Sequence, residues 1–237
     1  MTKTADWVTA PWMAFDTETT GVSPTNDRLV TAATVVRLGG LNAFDPDQAQ
    51  TWLADPGVEI PQAASEVHGI TTDLARKMGT PIAGVLEEVN QVLAAHLGAG
   101  YPVVIFNAGF DLRLLESESQ RHGVATLTDR LGRTPSPIID PLVLDRAVDR
   151  YRKGRRTLGS LCELFDITVQ NAHDAAADGT MTLDVLAKIL ETHPQVAALS
   201  PSELQEFQMD SHRQWAERLT QWHRSQGRES NIDPEWF

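Results

Sequence analysis

The stretch AFDTETTGVSP, residues 14–24, ends a short apolar run with two carboxylates two positions apart and then breaks it with two threonines and a glycine. Residues two apart in an extended strand point to the same face, so Asp16 and Glu18 should project side by side where the chain leaves the core. Paired carboxylates there are costly unless a cation lies between them. Their hard oxygen atoms suit Mg²⁺ or Mn²⁺. An exposed strand end, with one carboxylate capping a turn, is the structural alternative.

One later segment repeats this form, and another adds a histidine and an acid at the start of a helix. In VVIFNAGFDLRLL, residues 103–115, a buried strand and a turn are followed by Asp111 in the first turn of a helix, where a plain capping role is also possible. In HDAAADGTMTL, residues 173–183, His173 lies at the start of a helix and Asp178 follows. The three alanines keep that helix slim enough to approach a sheet. Asp174 is a rival to Asp178 as a ligand, because residues four apart share a helix face.

Composition indicates an ordinary globular chain of 237 residues, enough for one substantial α/β domain, with 41% hydrophobic and 22% charged residues. No apolar stretch approaches the roughly 20 residues that span a bilayer, and the N-terminus lacks a secretory signal. The single cysteine, Cys162, cannot form an internal disulfide and is expected to be a small core residue. We therefore expect a cytoplasmic protein without membrane contacts.

Charge is unevenly distributed along the chain. The net charge of −12 argues against a general binder of phosphate backbones. However, RAVDRYRKGRR, residues 146–156, carries six basic residues and one acid. This run is either a solvated surface or a local phosphate-steering patch on an acidic protein.

Periodicity and turn signals predict a mixed sheet flanked by helices. Strands are expected within the segments 12–17, 28–38, 51–61, 102–106 and 137–140. Helices are expected within 71–78, 81–97, 110–123, 157–167 and 174–193, with Thr80 as a cap and Pro81 as a first helical residue.

A boundary is expected near residue 200, between a main domain over 1–199 and a C-terminal helical tail over 200–237. SPSE, residues 200–203, is a helix-capping signal. The helix that follows carries large apolar residues at spacings of four and three, typical of a packing stripe: Trp215, Leu219 and Trp222. The tail is expected to fold back on the domain or to contact a protein partner.

In order, Asp-x-Glu-Thr-Thr-Gly, Asn-x-x-Phe-Asp and His-x4-Asp closely resemble the three motifs of the DEDDh, or DnaQ-like, 3′–5′ exonucleases. This family includes the proofreading subunit of bacterial DNA polymerase III. The similarity runs from about Trp12 to His193, and three intermediate landmarks agree with it: VSPTNDRLV, IPQAASEVHGIT and YRKGRRTLGSLCELFDI. The resemblance implies a ribonuclease H-like α/β fold with a mixed five-stranded sheet flanked by helices.

The resemblance also implies the parts of a two-metal site. Four acids would bind two divalent ions, Mg²⁺ or Mn²⁺: Asp16, Glu18, Asp111 and Asp178. Asp16 would bridge both ions, and His173 would act as general base toward the attacking water. Such ions lower the pKa of the water and hold the leaving 3′ oxygen.

Implied substrate contacts form a further set: Thr19, Thr20, Gly21, His68, Asn107 and Phe110. The two threonines would lie beside the terminal nucleotide and its 3′ hydroxyl, and the glycine would allow close backbone approach; a plain turn is the alternative. The asparagine and phenylalanine could contact sugar-phosphate or stack on a base. The histidine could equally stabilise a turn. Thr31 departs from the family, in which many members carry glutamate.

The sequence thus predicts a metal-dependent 3′–5′ exonuclease that releases nucleoside 5′-monophosphates, with single-stranded DNA ends as the favoured substrate. The alternative within this class is an RNA exonuclease or a short-oligonucleotide degrader. A catalytically silent binding domain is disfavoured because all five catalytic positions are present. A phosphatase acting on small substrates would not need the basic run. No polymerase or helicase segment accompanies the domain, so a freestanding enzyme is expected.

Overall fold

The computed structural model describes residues 4–169, 174–230 and 232–237. Its centre is a mixed six-stranded sheet in the order β4-β3-β2-β1-β5-β6. Strands β1, β2 and β3 are antiparallel neighbours, whereas β4, β5 and β6 join in parallel. The strands are β1 Trp12–Thr19, β2 Leu29–Arg37, β3 Gln48–Asp55, β4 Thr80–Pro81, β5 Val103–Val104 and β6 Ile138–Ile139. The predicted α/β class and mixed sheet are confirmed.

The strand count differs from the predicted five because of β4. Thr80 and Pro81 pair with the end of β3, and the following helix begins at Ile82 with Pro81 as its N-cap. The prediction that Pro81 is the first helical residue was therefore wrong. Proline has no N–H group to donate to a neighbouring strand. This is tolerated in β4 because it lies at the edge of the sheet and has no further strand beside it.

Ten α-helices are assigned within the described residues. Short ones connect the strands, and the three longest are α3, α8 and α10. The helices are α1 Gln62–His68, α2 Thr72–Met78, α3 Ile82–Gly98, α4 Ala108–Arg121, α5 Leu127–Leu131, α6 Pro141–Val148, α7 Leu158–Leu164, α8 Ala175–Thr192, α9 Pro194–Ala197 and α10 Pro201–Ser225. Two 3₁₀ turns lie at Asp6–Thr9 and Gly40–Asn42. None of the helices among these residues is long and apolar enough to cross a membrane.

The sheet separates two hydrophobic clusters, and β1 contributes alternate residues to each. Met13 and Phe15 belong to the cluster with α3 and α4, while Trp12 and Ala14 belong to the cluster with α7 and α8. This is the two-residue period of a strand buried on both faces. The even-numbered positions of β1 therefore face α8, which brings Asp16 toward the start of that helix.

Helix α8 packs directly on β1 and β2, and Gly179 makes the approach possible. A Cβ atom built at Gly179 would lie 2.8 Å from Val35 Cγ2 and 3.4 Å from Ala14 Cβ. Ala175 is buried in the same contact region. This packing agrees with the expectation that small residues let the helix approach the sheet. It also holds Asp178, the residue before Gly179, close to β1.

The residues after 200 pack against the rest of the fold. Ser200 and Glu203 form the predicted capping box of α10, and Leu204 and Gln208 are buried on its inner face. Trp222 is 51% exposed, so the predicted packing stripe does not extend to it. The helix packs on α6 and on the β6 edge, and the edge contacts include glutamine side chains, which apolar periodicity does not indicate.

Candidate active site

Three carboxylates converge where β1 ends and α8 begins. One oxygen atom from each of Asp16, Glu18 and Asp178 lies within 4.8 Å of the others, a spacing that could hold a metal ion. Asp16 and Glu18 share a face of β1, and Asp178 lies in the first turn of α8. The strand period and the close packing of α8 together produce this cluster.

Asp111 approaches from the opposite side of the sheet. It lies in the first turn of α4 and is only 4% exposed. Its Oδ1 accepts a 2.6 Å hydrogen bond from Thr17 Oγ1, and Thr17 faces α4 because it occupies an odd position of β1. Thr17 was missed by sequence reasoning. The signal was its position between Asp16 and Glu18, where strand alternation turns it toward the α4 face.

Burial, together with the crowding of negative charge, raises the pKa values of these acids. Burial, followed by repulsion from Asp111 and Asp178, raises the pKa of Asp16 well above its usual value. Burial and the charge of Asp178 raise the pKa of Glu18 to about 7. Burial raises the pKa of Asp111 to about 7, partly opposed by the Thr17 hydrogen bond. Divalent cations such as Mg²⁺ or Mn²⁺ fit such a set of hard oxygen donors well.

We predict an opposite pH dependence of stability with and without metal. Because the folded-state pKa values of Glu18 and Asp111 are raised to about 7, the chelated protein is most stable in acid and loses stability as pH rises through 7. Melting temperatures in EDTA should thus fall by several degrees between pH 5.5 and 8. Saturating Mg²⁺ should reverse this trend, because it favours the ionised carboxylates. An equal slope with and without Mg²⁺, measured by calorimetry, would contradict the prediction.

Asp174 takes a different position from its rival Asp178. It is the N-cap of α8, and its Oδ1 accepts hydrogen bonds of 3.1 Å from both Ala176 N and Ala177 N. Its charge still contributes to the raised pKa values of Asp16 and Glu18. Asp178 is the one of the two within the carboxylate cluster. The predicted general base, His173, lies outside the described residues.

Asp140 was missed by sequence reasoning and organises the start of α4. Its buried carboxylate accepts hydrogen bonds from the backbone N–H groups of Asn107, at 3.0 Å, and Ala108, at 2.9 Å. It also caps α6 through Leu142 N at 2.9 Å. One side chain thus caps two helices, one of which carries Asp111. The available signal was Asp followed by Pro at a strand end, a common N-cap arrangement.

The predicted substrate contacts in the TTG turn have partners within the loop. The Thr20 hydroxyl donates a 2.9 Å hydrogen bond to Asp27 Oδ1, and Thr20 is buried. A Cβ atom at Gly21 would lie 2.6 Å from an Asp27 carboxylate oxygen. The Thr19 hydroxyl donates to the Gly21 carbonyl. The contact with Asp27 therefore supplies a structural reason for Thr20 and Gly21.

The remaining predicted contacts flank the cluster. His68 Nδ1 accepts from Ile70 N at 3.1 Å, as expected of a turn-stabilising residue. His68 also lines a cavity of about 190 Å³ beside Glu18, together with Thr31 and Asp174. Asn107 is an exposed N-cap in the left-handed region, with φ of 67°. Phe110 is partly buried and packs on the α3–α4 cluster.

The basic run separates into anchoring and exposed residues. Arg152 and Arg156 both pair with the buried Asp145. Arg146 stacks over the Trp215 ring at 3.8 Å. The others are exposed and form what we call the basic loop: Arg150, Tyr151, Lys153 and Arg155. Only part of the run is therefore free to be a solvated surface or a phosphate-steering patch, because three of its arginines pack on the fold.

Comparison with known proteins finds an exonuclease family model and PolC-type DNA polymerases III that are similar in sequence to this chain. The RNase_T family model, described as an exonuclease, matches residues 13–186. A PolC-type DNA polymerase III from Halalkalibacterium halodurans is 31% identical over 184 residues, covering 76% of this chain and 11% of the relative. The Streptococcus mutans PolC-type polymerase is 30% identical over 195 residues, covering 78% of this chain and 12% of the relative. The chain thus spans about a tenth of the length of these relatives.

Solved structures share the fold. An exonuclease I from Methylocaldum szegediense superimposes with a TM-score of 0.65 at 23% identity, over 79% of this chain and 42% of the other. A zinc-bound complex of E. coli exonuclease I with single-stranded DNA gives a TM-score of 0.67 at 18% identity, over 86% and 43%. These similarities support the ribonuclease H-like architecture inferred from the motifs.

Proposed function

The chain belongs to the RNase_T exonuclease family, and from this premise we propose that it is a metal-dependent 3′–5′ exonuclease acting on single-stranded DNA. The observation that carries the proposal is the convergence of Asp16, Glu18 and Asp178 within 4.8 Å, with Asp111 close enough to raise the pKa of Asp16. The products would be nucleoside 5′-monophosphates. An RNA end, or a short oligonucleotide, is the alternative substrate.

Each carboxylate has a defined part in this proposal. Asp16, Glu18, Asp111 and Asp178 would hold two divalent ions, Mg²⁺ or Mn²⁺. When bound, such ions neutralise the acids, lower the pKa of water and stabilise a leaving alkoxide. Thr17 fixes the Asp111 carboxylate through its 2.6 Å hydrogen bond.

Proton transfer is assigned to His173. An imidazole titrates near neutral pH, so it can accept a proton from the attacking water and release it to solvent. The segment between α7 and α8 carries this histidine next to the N-cap Asp174. The order of the motifs supports this role.

Substrate would enter beside Glu18. The cavity lined by Glu18, His68 and Thr31 adjoins the carboxylate cluster through Glu18 and would receive the terminal nucleotide. The exposed Asn107 side chain stands at the start of the Asp111 helix, where it can donate to sugar or phosphate. Thr19, Thr20 and Gly21 would border the 3′ hydroxyl.

The testing experiment is a gel time course with 5′-labelled DNA and RNA of matched sequence, in Mg²⁺, Mn²⁺ or EDTA. We expect a ladder that shortens from the 3′ end, requires metal and is lost in His173→Ala. Faster cleavage of RNA would select the alternative substrate. No ladder on either polymer, with folded and metal-bound protein, would contradict the proposal and favour a small substrate.

The basic loop predicts the salt dependence of strand binding. The triple variant R150Q/K153Q/R155Q removes three exposed charges, and each phosphate contact on a single strand contributes about 0.7 to the slope of log K against log [salt]. Tyr151, which is 84% exposed, can stack on a base in the same loop. We expect the magnitude of this slope for a long oligonucleotide to decrease by about 2. Binding is measured by fluorescence anisotropy in Ca²⁺.

A matched triple variant on and after α10 provides the control. R213Q/R224Q/R228Q also removes three positive charges from exposed positions. If both triples change the slope equally, only the net charge matters and the basic loop is not the strand-binding surface.

A further inference from the structure

Side chains from α10 form hydrogen bonds to the strand at one edge of the sheet. Strand β6 is an edge strand. Gln208 is 0% exposed, accepts from Asp140 N at 2.7 Å and donates to Ile138 O at 2.9 Å. Gln205 accepts from Ile138 N at 3.0 Å. Two glutamine amides thus bond to β6 as a neighbouring strand would, and Gln208 also holds the backbone of Asp140.

The end of the chain lies on the same element. We call residues 232–237 the C-terminal strap. Trp236 is 5% exposed, and its Nε1 donates to Asp140 Oδ2 at 3.3 Å. Arg113 of α4 pairs with Asp233 at 2.8 Å and donates to the Glu235 carbonyl at 2.9 Å. The strap is therefore fastened both to Asp140 and to the helix that carries Asp111.

Contact between the strap and α4 is close. A Cβ atom at Gly109 would overlap the carbonyl oxygen of Trp236. Gly109 lies two residues before Asp111, in the first turn of α4. That turn is held on one side by the Asp140 carboxylate and on another by the strap, so it cannot shift without moving Trp236.

We propose that Trp236, with Gln208, positions the Asp111 carboxylate for metal binding. This inference rests on the proposed exonuclease function, and both residues lie outside the segment 13–186 that matches the family. Ligand side chains must stay within about 0.5 Å of their productive place. The strap supplies this restraint through Asp140, which connects the indole N–H to the N–H groups of Asn107 and Ala108. Trp236 is a positioning residue, since it acts on Asp111 through Asp140.

The test compares Trp236→Phe with Trp222→Phe in the full chain. The first variant keeps an aromatic ring in the core but removes the N–H donor to Asp140; the second makes the same change at an exposed site on α10. Mn²⁺ affinity is measured by isothermal titration calorimetry without substrate. We expect Trp236→Phe to weaken it about tenfold, the low end of the usual effect of residues that orient metal ligands. Trp222→Phe should match the unmodified chain.

Kinetics at saturating Mn²⁺ separate positioning from stability. We expect Trp236→Phe to lower kcat with little change in KM. Gly109→Ala, whose added methyl group displaces Trp236 from α4, should also weaken Mn²⁺ binding. A Trp236→Phe protein that melts lower but binds Mn²⁺ and turns over like the unmodified chain overturns the inference. If the unmodified chain cleaves no nucleic acid, the proposed function fails separately, while the Mn²⁺ titration still decides the positioning role.

Discussion

Asp178→Asn is expected to lower kcat/KM for single-stranded DNA by roughly three orders of magnitude or more, whereas Asp174→Asn is expected to stay within a few-fold of the unmodified chain. Asp178 supplies one of three carboxylate oxygens that lie within 4.8 Å of one another. Losing one anionic metal ligand removes several kcal/mol of transition-state stabilisation, and about 4 kcal/mol corresponds to roughly 10³-fold.

The Asp174 variant is a matched control for this prediction. Both changes replace a carboxylate by a carboxamide within four residues of the same helix. Asparagine is as good an N-cap as aspartate, so Asp174→Asn preserves the hydrogen bonds to Ala176 N and Ala177 N. Rates are measured on 5′-labelled DNA with saturating Mn²⁺, and Mn²⁺ binding is titrated in parallel. Loss of activity in Asp174→Asn with retention in Asp178→Asn would show that the rival residue is the ligand.

The two carboxylates of β1 could be anticipated from local rules, whereas Asp178 was preferred to its rival Asp174 only through the family motif that it completes. The strand period puts Asp16 and Glu18 on one face. Small residues around Asp178 let α8 lie against that face, and Gly179 meets Val35 there. The first step involves neighbours in one strand, whereas the second joins Gly179 to Val35, which lie far apart in the chain. The mixed sheet was predictable for the same reason as the first step.

Asp140 and the C-terminal strap could not be anticipated in this way. The link from Asp140 to Ala108 spans 32 residues, and the link to Trp236 spans 96. No periodicity connects such positions. The edge contacts of α10 are made by glutamines, whereas apolar spacing predicts that Trp222 packs on the fold. Similarly, Asp27 accounts for Thr20 and Gly21 through a loop contact that the TTG sequence alone does not indicate.

Asp140→Ala is expected to produce the largest loss of stability, about 4 kcal/mol in the free energy of unfolding. Its carboxylate is the acceptor for the first N–H groups of two helices, at 3.0 Å from Asn107 N and 2.9 Å from Leu142 N. Each lost N-cap costs about 0.5–2 kcal/mol, and a buried donor left without an acceptor costs about 1–3 kcal/mol. For a chain of this size the melting temperature should fall by roughly 10 °C.

Asp140→Asn and Asp129→Ala decide what this loss means. Burial raises the pKa of Asp140, and the hydrogen bonds that its oxygens accept oppose this rise. Asparagine keeps one acceptor oxygen, so Asp140→Asn should lose about half as much stability. Asp129 also caps a helix but is exposed on the short α5, and its removal should have little effect. Equal melting temperatures for Asp140→Ala and Asp129→Ala, by calorimetry in EDTA, would mean that water replaces the buried acceptor and that the start of α4 does not depend on it.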